Sequence, residues 1–537
     1  MNKIKSFRYL HFVLFAFLAT SSLSVFGQWS QTKKVAAADR FPSSTFGRNV
    51  SISNNYAVVS SDVSSLSLFS SGGYYLYEFK NGTWQFNRRL IWSNKKYRLG
   101  ARGVEIKDSL MIVIGVKSVC VDSTGAQVSF CAAYFVYRLR NGVWIEDGVL
   151  ELPPLGIFSD ASVSISGNYA FVGCFRQDVV DGEFGNTARE AGIVYVYHYS
   201  NGSWNFHSSL HASNPANGAW FGRDISVDGT MAVIGAPRKD LVTSKDIYDE
   251  AGAAYAFELE NGFWVEKAKF QPTDLNEGSN FGESVSMSNN IILIGAPFNS
   301  PTINGSVRIS AGAAFLYVRT GGTWQFLQKI TASDWEPNAT FGWSVSVHNN
   351  AAIVSAANAD TDTNGLNPMA YAGAAYIFLN YNGTWAEQSK IVAQDRDVED
   401  FFGSDVAISN NKALVGAYLD DEDAAGQDTM TYAGSAYFFE GPAYVDINEN
   451  IESPHQISLY PNPANETATL EYGNTFSGTG TIQLLDVQGR ILYQEKIVFQ
   501  NANGKTLLNI AHLPGGIYFV KLYNNQEIII QRFHKVD

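Results

Sequence analysis

A tryptophan returns every sixty residues along most of this chain. The motif Asn/Gly-Gly-x-Trp places Trp84, Trp144, Trp204, Trp264, Trp324 and Trp385 at intervals of 60, 60, 60, 60 and 61. Two other motifs keep the same period. Phe-Gly stands at Phe46-Gly47, Phe221-Gly222, Phe281-Gly282, Phe341-Gly342 and Phe402-Gly403, with degenerate copies at Leu99-Gly100 and Phe158-Ser159. Ala-Gly stands at Ala191-Gly192, Ala251-Gly252, Ala311-Gly312, Ala372-Gly373 and Ala433-Gly434, with weaker forms at Gly72-Gly73 and Cys131-Ala132. A unit of this length is too long for one hairpin and too short to bury a core alone. Successive units must therefore stack.

Inside one unit apolar residues alternate, as in Phe221–Val227 and Met231–Gly235, with Asp228-Gly229 between them as a hairpin turn. The run Ala253–Leu259 follows, and Asn261-Gly262 turns it into Phe263–Phe270. Four short antiparallel strands of this kind make one blade of a β-propeller. The expected fold is all-β: a seven-bladed propeller, then a small C-terminal sandwich. Closure gives the count. Seven Phe-Gly and seven Ala-Gly positions accompany only six Asn/Gly-Gly-x-Trp units, and Trp29 lies 17 residues before Phe46, as Trp324 lies 17 before Phe341. The strand after Trp29 is thus expected to complete the last blade beside Ala433–Phe439 and remove an open edge. Small residues are expected where blades crowd near the axis, and the tryptophans over the seams. An aspartate seven residues before Phe-Gly (Asp39, Asp274, Asp334, Asp395) is expected to cap a turn by accepting backbone N–H groups.

Phe221-Gly222 with Val233–Pro237, and Phe281-Gly282 with Leu293–Pro297, resemble the FG-GAP repeat of integrin alpha-chain propellers. Leu414–Ala417 and Ile353–Ala356 are weaker versions. The resemblance spans residues 29–440 and implies a propeller that binds proteins or glycans, mediates adhesion, or acts as a scaffold. One departure matters. The family's calcium loop has shrunk to tight turns such as Ser53-Asn54-Asn55, Asp228-Gly229 and Asn349-Asn350. Oxygen donors gather elsewhere, at Asn358, Asp360, Asp362 and Asn364, before Gly365. Two readings stay open there: a calcium site, or a solvated acidic loop like Asp420–Asp423 and the Asp240, Asp246 and Asp249 loop. No glutamate supplies a twelfth-position ligand, so a helix–loop–helix calcium site is excluded. No other cofactor is implied.

Residues 1–27 read as a signal peptide, with Lys3, Lys5 and Arg8 before the apolar run Phe12–Leu18. The propeller is expected over 28–445, a linker over 446–455, and a second domain over 456–537. In that domain Tyr460, Pro461, Asn462 and Pro463, the turn around Gly489, and Gly516 with Tyr518 resemble the C-terminal sorting domain of the Bacteroidetes type IX secretion system. The resemblance implies passage across the outer membrane through that machinery, then release or surface attachment. No second apolar run is long enough to span a membrane.

Cys120 and Cys131 bracket a strand connection in the second unit, and an oxidising compartment makes a disulfide there one reading. Cys174 stands where other units carry alanine and is expected to be buried. A net charge of −13 with no basic stripe argues against nucleic acid. Nucleophile elbows and phosphate loops are missing. His207 and His211, four apart in an alternating segment, favour a surface over a metal pair.

Two functional classes follow. One is a secreted or surface-displayed propeller binding an extracellular protein or glycan through the long loops of one face, at about 58–72, 116–131, 174–190, 236–250, 297–310, 357–371 and 418–432. Tyr248, Phe298, Arg308, Tyr371 and Tyr432 are its candidate contacts. The other is a glycan-active hydrolase or lyase with Asp224 and Asp405, three residues after Phe in their units, as a carboxylate pair. A structural surface protein without a discrete ligand is a third reading.

Overall fold

Alternation of apolar and polar residues, cut by two-residue turns, yields strands throughout. Asn81 and Gly82 link Lys80 to Thr83 with φ of 52° and 76°, the left-handed pair that a type I′ hairpin requires. The computed structural model describes residues 29–442 and 457–536, apart from 62–71, 122–126, 153–160, 181–186, 461–463, 473–477, 486–490, 500–503, 524–527 and positions 273, 304, 382 and 428. The expected signal peptide, the linker, Pro461, Asn462, Pro463 and Gly489 lie outside the described residues. Every named element among the described residues is a strand.

Seven four-stranded antiparallel sheets occupy residues 30–440. Their first strands are Phe46–Ser53, Tyr97–Lys107, Ser162–Ser166, Ile225–Asp228, Val285–Ser288, Phe341–His348 and Phe402–Ser409, and we number the sheets in that order. In the first six sheets the strands lie in chain order. In the seventh the fourth strand is Ser30–Val35, antiparallel to Ser435–Glu440, with Ser30 opposite Glu440 and Val35 opposite Ala436. This early strand has the same irregularity as its counterparts. Each outer strand bulges at the third residue after its tryptophan: Thr32 is skipped between Gln31 and Lys33, as Lys267 is between Glu266 and Ala268, and Leu327 between Phe326 and Gln328.

The tryptophans fill seams between sheets. Trp84 of the first sheet stacks on Phe438 of the seventh with ring centroids 4.5 Å apart, and Trp264 of the fourth meets Phe171 of the third at 4.9 Å. Trp29 is 4% exposed in a core shared by the sixth and seventh sheets. Glycine sets the approach of neighbouring sheets: a Cβ on Gly235 would stand 2.0 Å from the Gly282 carbonyl oxygen.

The first strand of every sheet has no strand partner on its inner edge, so its amides need acceptors. Side chains of the preceding sheet supply them. Ser51 accepts from the Ile106 amide, Ser164 from Val227, Ser226 from Met287, Ser286 from Val347 and Ser346 from Ile408, at 3.0–3.2 Å. Glu105 takes the same part for Ile165 at 2.6 Å. From the seventh sheet to the first, Asp405 accepts from Val50 at 2.9 Å and Ser409 from Asn54 at 3.0 Å. The small hydroxyl of serine reaches the backbone of the next sheet without crowding it.

Beyond the linker, a three-stranded sheet (Ile457–Tyr460, Thr467–Tyr472, Gly504–Asn509) and a four-stranded sheet (Gly478–Leu485, Ile491–Phe499, Gly516–Tyr523, Ile528–Lys535) share one core. Leu459, Leu470 and Leu508 of the first meet Ile482, Leu484 and Val520 of the second. This is a small sandwich. Tyr518 is buried with its hydroxyl donating to the Pro514 carbonyl at 2.9 Å, whereas Tyr460 is 41% exposed.

Candidate binding face

The two ends of the seven sheets differ. At one end lie two-residue turns; at the other lie the connections between second and third strands and the crossings from sheet to sheet. Five of the long loops are tied at the base in one way. Asp178, Asp240, Asp360 and Asp421 accept the amides of Glu190, Glu250, Tyr371 and Tyr432 at 2.8, 3.0, 2.9 and 2.5 Å, and Ser300 accepts that of Ser310 at 3.0 Å. The loops differ in length above this shared bond, which spans 12 residues at Asp178, 10 at Asp240 and 11 at Asp360.

This repeated cap bears on the oxygen-donor loop. Asp360 Oδ1 performs the tie that a serine performs in the fifth sheet. Asp362 Oδ1 accepts the Asn364 and Leu366 amides at 2.8 and 3.0 Å, and its Oδ2 accepts Asn367 Nδ2 at 2.7 Å. Asp423 copies that turn in the seventh sheet, accepting from Ala425 and Gln427. Asn358 bonds through its backbone to Ala339. The carboxylates are thus engaged in shaping the loop. Among the described residues no group of three or more His, Cys, Asp or Glu side chains is placed to hold a metal ion.

Aromatic residues collect on the same face. Tyr371 is 44% exposed and lies parallel to Phe401, 5° between planes and 5.7 Å between centroids. Phe401 touches Tyr418 at 5.9 Å, and the Arg48 guanidinium lies over Tyr418 at 5.2 Å. Phe298 meets Trp343 edge-on at 6.3 Å. Arg308 lies flat on Trp335 at 3.2 Å, Tyr248 packs against the core between fourth and fifth sheets, and Tyr432 is 40% exposed. Of the five candidate contacts, only Tyr371 and Phe298 thus adjoin these aromatic groups. Phe401, Tyr418, Trp343 and Arg48 escaped the sequence reading. The signal lay next to the repeat itself, since Phe401 directly precedes a Phe-Gly pair while Arg48 and Trp343 directly follow one.

Backbone strain marks this group. Tyr371, Phe401, Trp220 and Tyr432 hold φ of 57°, 54°, 58° and 58°. Glu250 and Asn280 occupy equivalent positions at 48° and 52°. The repeat therefore demands a left-handed residue, and bulky aromatic side chains are poor at meeting the demand.

Asp224 and Asp405 lie in the seams. Asp224 accepts the Ile225 amide at 2.9 Å and the Val285 amide of the next sheet at 2.7 Å. Asp405 accepts the Val50 and Val406 amides and the Ser344 hydroxyl. Burial pushes Asp224 up to about 7 and Asp405 to about 6, against the pull of those amides, and repulsion from Asp405 adds to the rise of Asp224. Asp400, 5% exposed, is likewise raised to about 8 by burial and then by Asp420. A carboxyl whose pKa is raised on folding holds its proton in the folded state and releases it on unfolding. Its stabilising contribution is complete below the ordinary carboxyl range and vanishes as pH climbs through the folded value. Thermal melts are therefore expected to show Tm falling between pH 5 and pH 8.5; a Tm that rises across this interval would contradict the assignment.

The aspartates before Phe-Gly do other work than expected. Asp39 accepts the Tyr75 hydroxyl at 2.5 Å and pairs with Arg89; Asp334 accepts Tyr376 and pairs with Lys390; Asp274 pairs with Lys329. Asp395 pairs with Lys34 at 2.6 Å, and Lys34 also reaches Asp420 at 2.9 Å. They tie sheet crossings to side chains instead of capping turns, because each faces an outer-strand cation. Cys174 is buried and free, with its thiol pushed up to about 12 by burial. Cys131 is disulfide-bonded, while the side chain of Cys120 lies outside the described set.

Residues 29–77, 204–257, 264–317, 324–378 and 385–439 match the family model of the FG-GAP repeat. The first match begins at Trp29, in the strand that completes the seventh sheet. The chain is an FG-GAP repeat protein. Residues 458–535 match the secretion system C-terminal sorting domain, so the protein is a type IX export substrate destined for a secreted or cell-surface location in Bacteroidetes. No curated protein matches the chain. No helix among the described residues is long and apolar enough to cross a membrane.

Proposed function

We propose that the seven sheets form a closed seven-bladed β-propeller, sealed by Ser30–Val35, that binds an extracellular glycan or protein through its loop-bearing face, in adhesion to surfaces or partners. The shared bulge, the seam tryptophan and the bonds of Asp405 and Ser409 to backbone amides at the seventh-to-first junction support the closure. One observation carries the binding reading: Tyr371, Phe401 and Tyr418 form a partly exposed aromatic ledge beside the mouth, held partly by left-handed backbone. Bulky rings at such positions cost stability of roughly 1–3 kcal/mol each, and an exposed ring returns little of that through burial. A contact surface is the physical gain that offsets it.

Asp224 and Asp405 fit a sealing role better than catalysis, since both oxygens of each already accept donors. The test is a glycan array and surface pull-down with the mature chain. Tyr371→Ala combined with Phe401→Ala is expected to weaken capture at least about tenfold, the effect of losing roughly 1.4 kcal/mol, with Tm held within a few degrees. Undiminished capture by the double variant would refute the ledge as the contact.

A further inference from the structure

The residue directly after each Phe-Gly pair stands on the rim of the axial opening. At this position the fourth, fifth, sixth, seventh and first sheets carry Arg223, Glu283, Trp343, Ser404 and Arg48. The two arginines make an internal comparison. Arg223 donates to Glu283 at 2.6 Å, so its charge is answered within the protein. Arg48 is half-buried, and among the described residues its guanidinium has no hydrogen bond or ion pair, only the face of Tyr418. A guanidinium offers five donors, and those of half-exposed Arg48 stay available to an acceptor from outside the protein.

A second group at the same place is equally unanswered. Ser404 Oγ, on the neighbouring sheet, is a buried oxygen with no hydrogen-bond partner. Trp343 continues the rim on the sixth sheet, and the Phe401–Tyr418 pair runs up to Arg48. One quadrant of the mouth thus joins an unpaired cation to flat rings, while the quadrant of Arg223 and Glu283 is neutralised.

Resting on the reading of this face as a glycan-binding surface, we infer that the quadrant formed by Arg48, Tyr418 and Phe401 selects an acidic sugar. The Arg48 fork takes the carboxylate of a uronate bidentately. The sugar's apolar face lies on the aromatic ledge.

Affinity electrophoresis of the mature protein in gels containing polygalacturonate or the neutral glucan dextran tests this. Expected is retardation by polygalacturonate, weakened at least tenfold by Arg48→Gln and progressively by added salt, with no retardation by dextran. Lys80→Gln removes one charge from the far end of the same sheet and is expected to change nothing; thermal melts verify that both variants fold. Retardation by dextran that ignores Arg48→Gln would overturn the acidic-sugar inference while leaving a glycan-binding face. Retardation by neither polymer would overturn both. Capture of acidic peptides in place of uronate, lost in Arg48→Gln, would also overturn it, since the guanidinium would then read a protein.

Discussion

Deletion of residues 28–36 is expected to leave the mature chain largely insoluble, with any soluble fraction melting far below the intact protein. Three losses coincide. Ser435–Glu440 becomes an exposed edge strand with a row of unpaired amides and carbonyls. Trp29 leaves a buried site where its ring lies against Gly441, and a lost core tryptophan costs about 3–5 kcal/mol. Lys34 leaves too, and with it the cation facing Asp395 and Asp420, the latter 2% exposed. Removing one member of a buried ion pair costs about 3–5 kcal/mol. Lys34→Met isolates the third loss and is expected to lower Tm by less than the deletion does. A truncated chain that stays soluble and melts within a few degrees of the intact one would show that the strand is dispensable.

The second large effect is expected at the same junction. A Cβ on Gly416 would stand 1.8 Å from the carbonyl oxygen of Gly47, backbone that cannot swing aside. Gly416→Ala must therefore push the seventh sheet away from the first, straining the Asp405 and Ser409 bonds to Val50 and Asn54. We expect a loss of about 3 kcal/mol or more, the upper end for overpacking. Gly82→Ala supplies the contrast. Nothing lies within 4 Å of its added Cβ, and its φ of +76° limits the cost to about 1–2 kcal/mol. Denaturant midpoints of the two variants should rank in that order; equal midpoints would mean that the two sheets do not meet as described.

Much of this architecture is legible in the sequence because repetition acts as a built-in control. Asn81-Gly82 and its copies give the turns, Phe-Gly and Ala-Gly give the crowded inner positions, and the spacing of Trp29 from Phe46 assigns the first strand to the last sheet. The seam chemistry was less legible. Serines at alternate positions of the inner strands read as ordinary polar residues until their hydroxyls are seen to accept amides from a neighbour sixty residues away, as Ser226 does from Met287. The aspartates before Phe-Gly were misassigned for a related reason, since Lys34 lies 361 residues from Asp395 and no local pattern links them. The binding face was the least legible part. Its candidates come from loop composition, and Tyr248 is packed against the core between fourth and fifth sheets while Arg308 lies on Trp335 of the next crossing. Arg48 matters through lacking the acidic partner that Arg223 has in Glu283, a difference that only three-dimensional neighbours display.

Everything depends on the strand after Trp29 being locked beside the last sheet in solution. Amide hydrogen exchange of the mature protein, followed by mass spectrometry, measures this directly. Peptides covering residues 30–35 should be protected to the same degree as those covering Lys412–Ala417, which lie inside the same sheet. Exchange of 30–35 at the rate of an unstructured tail, with 412–417 still protected, would contradict the sealed ring.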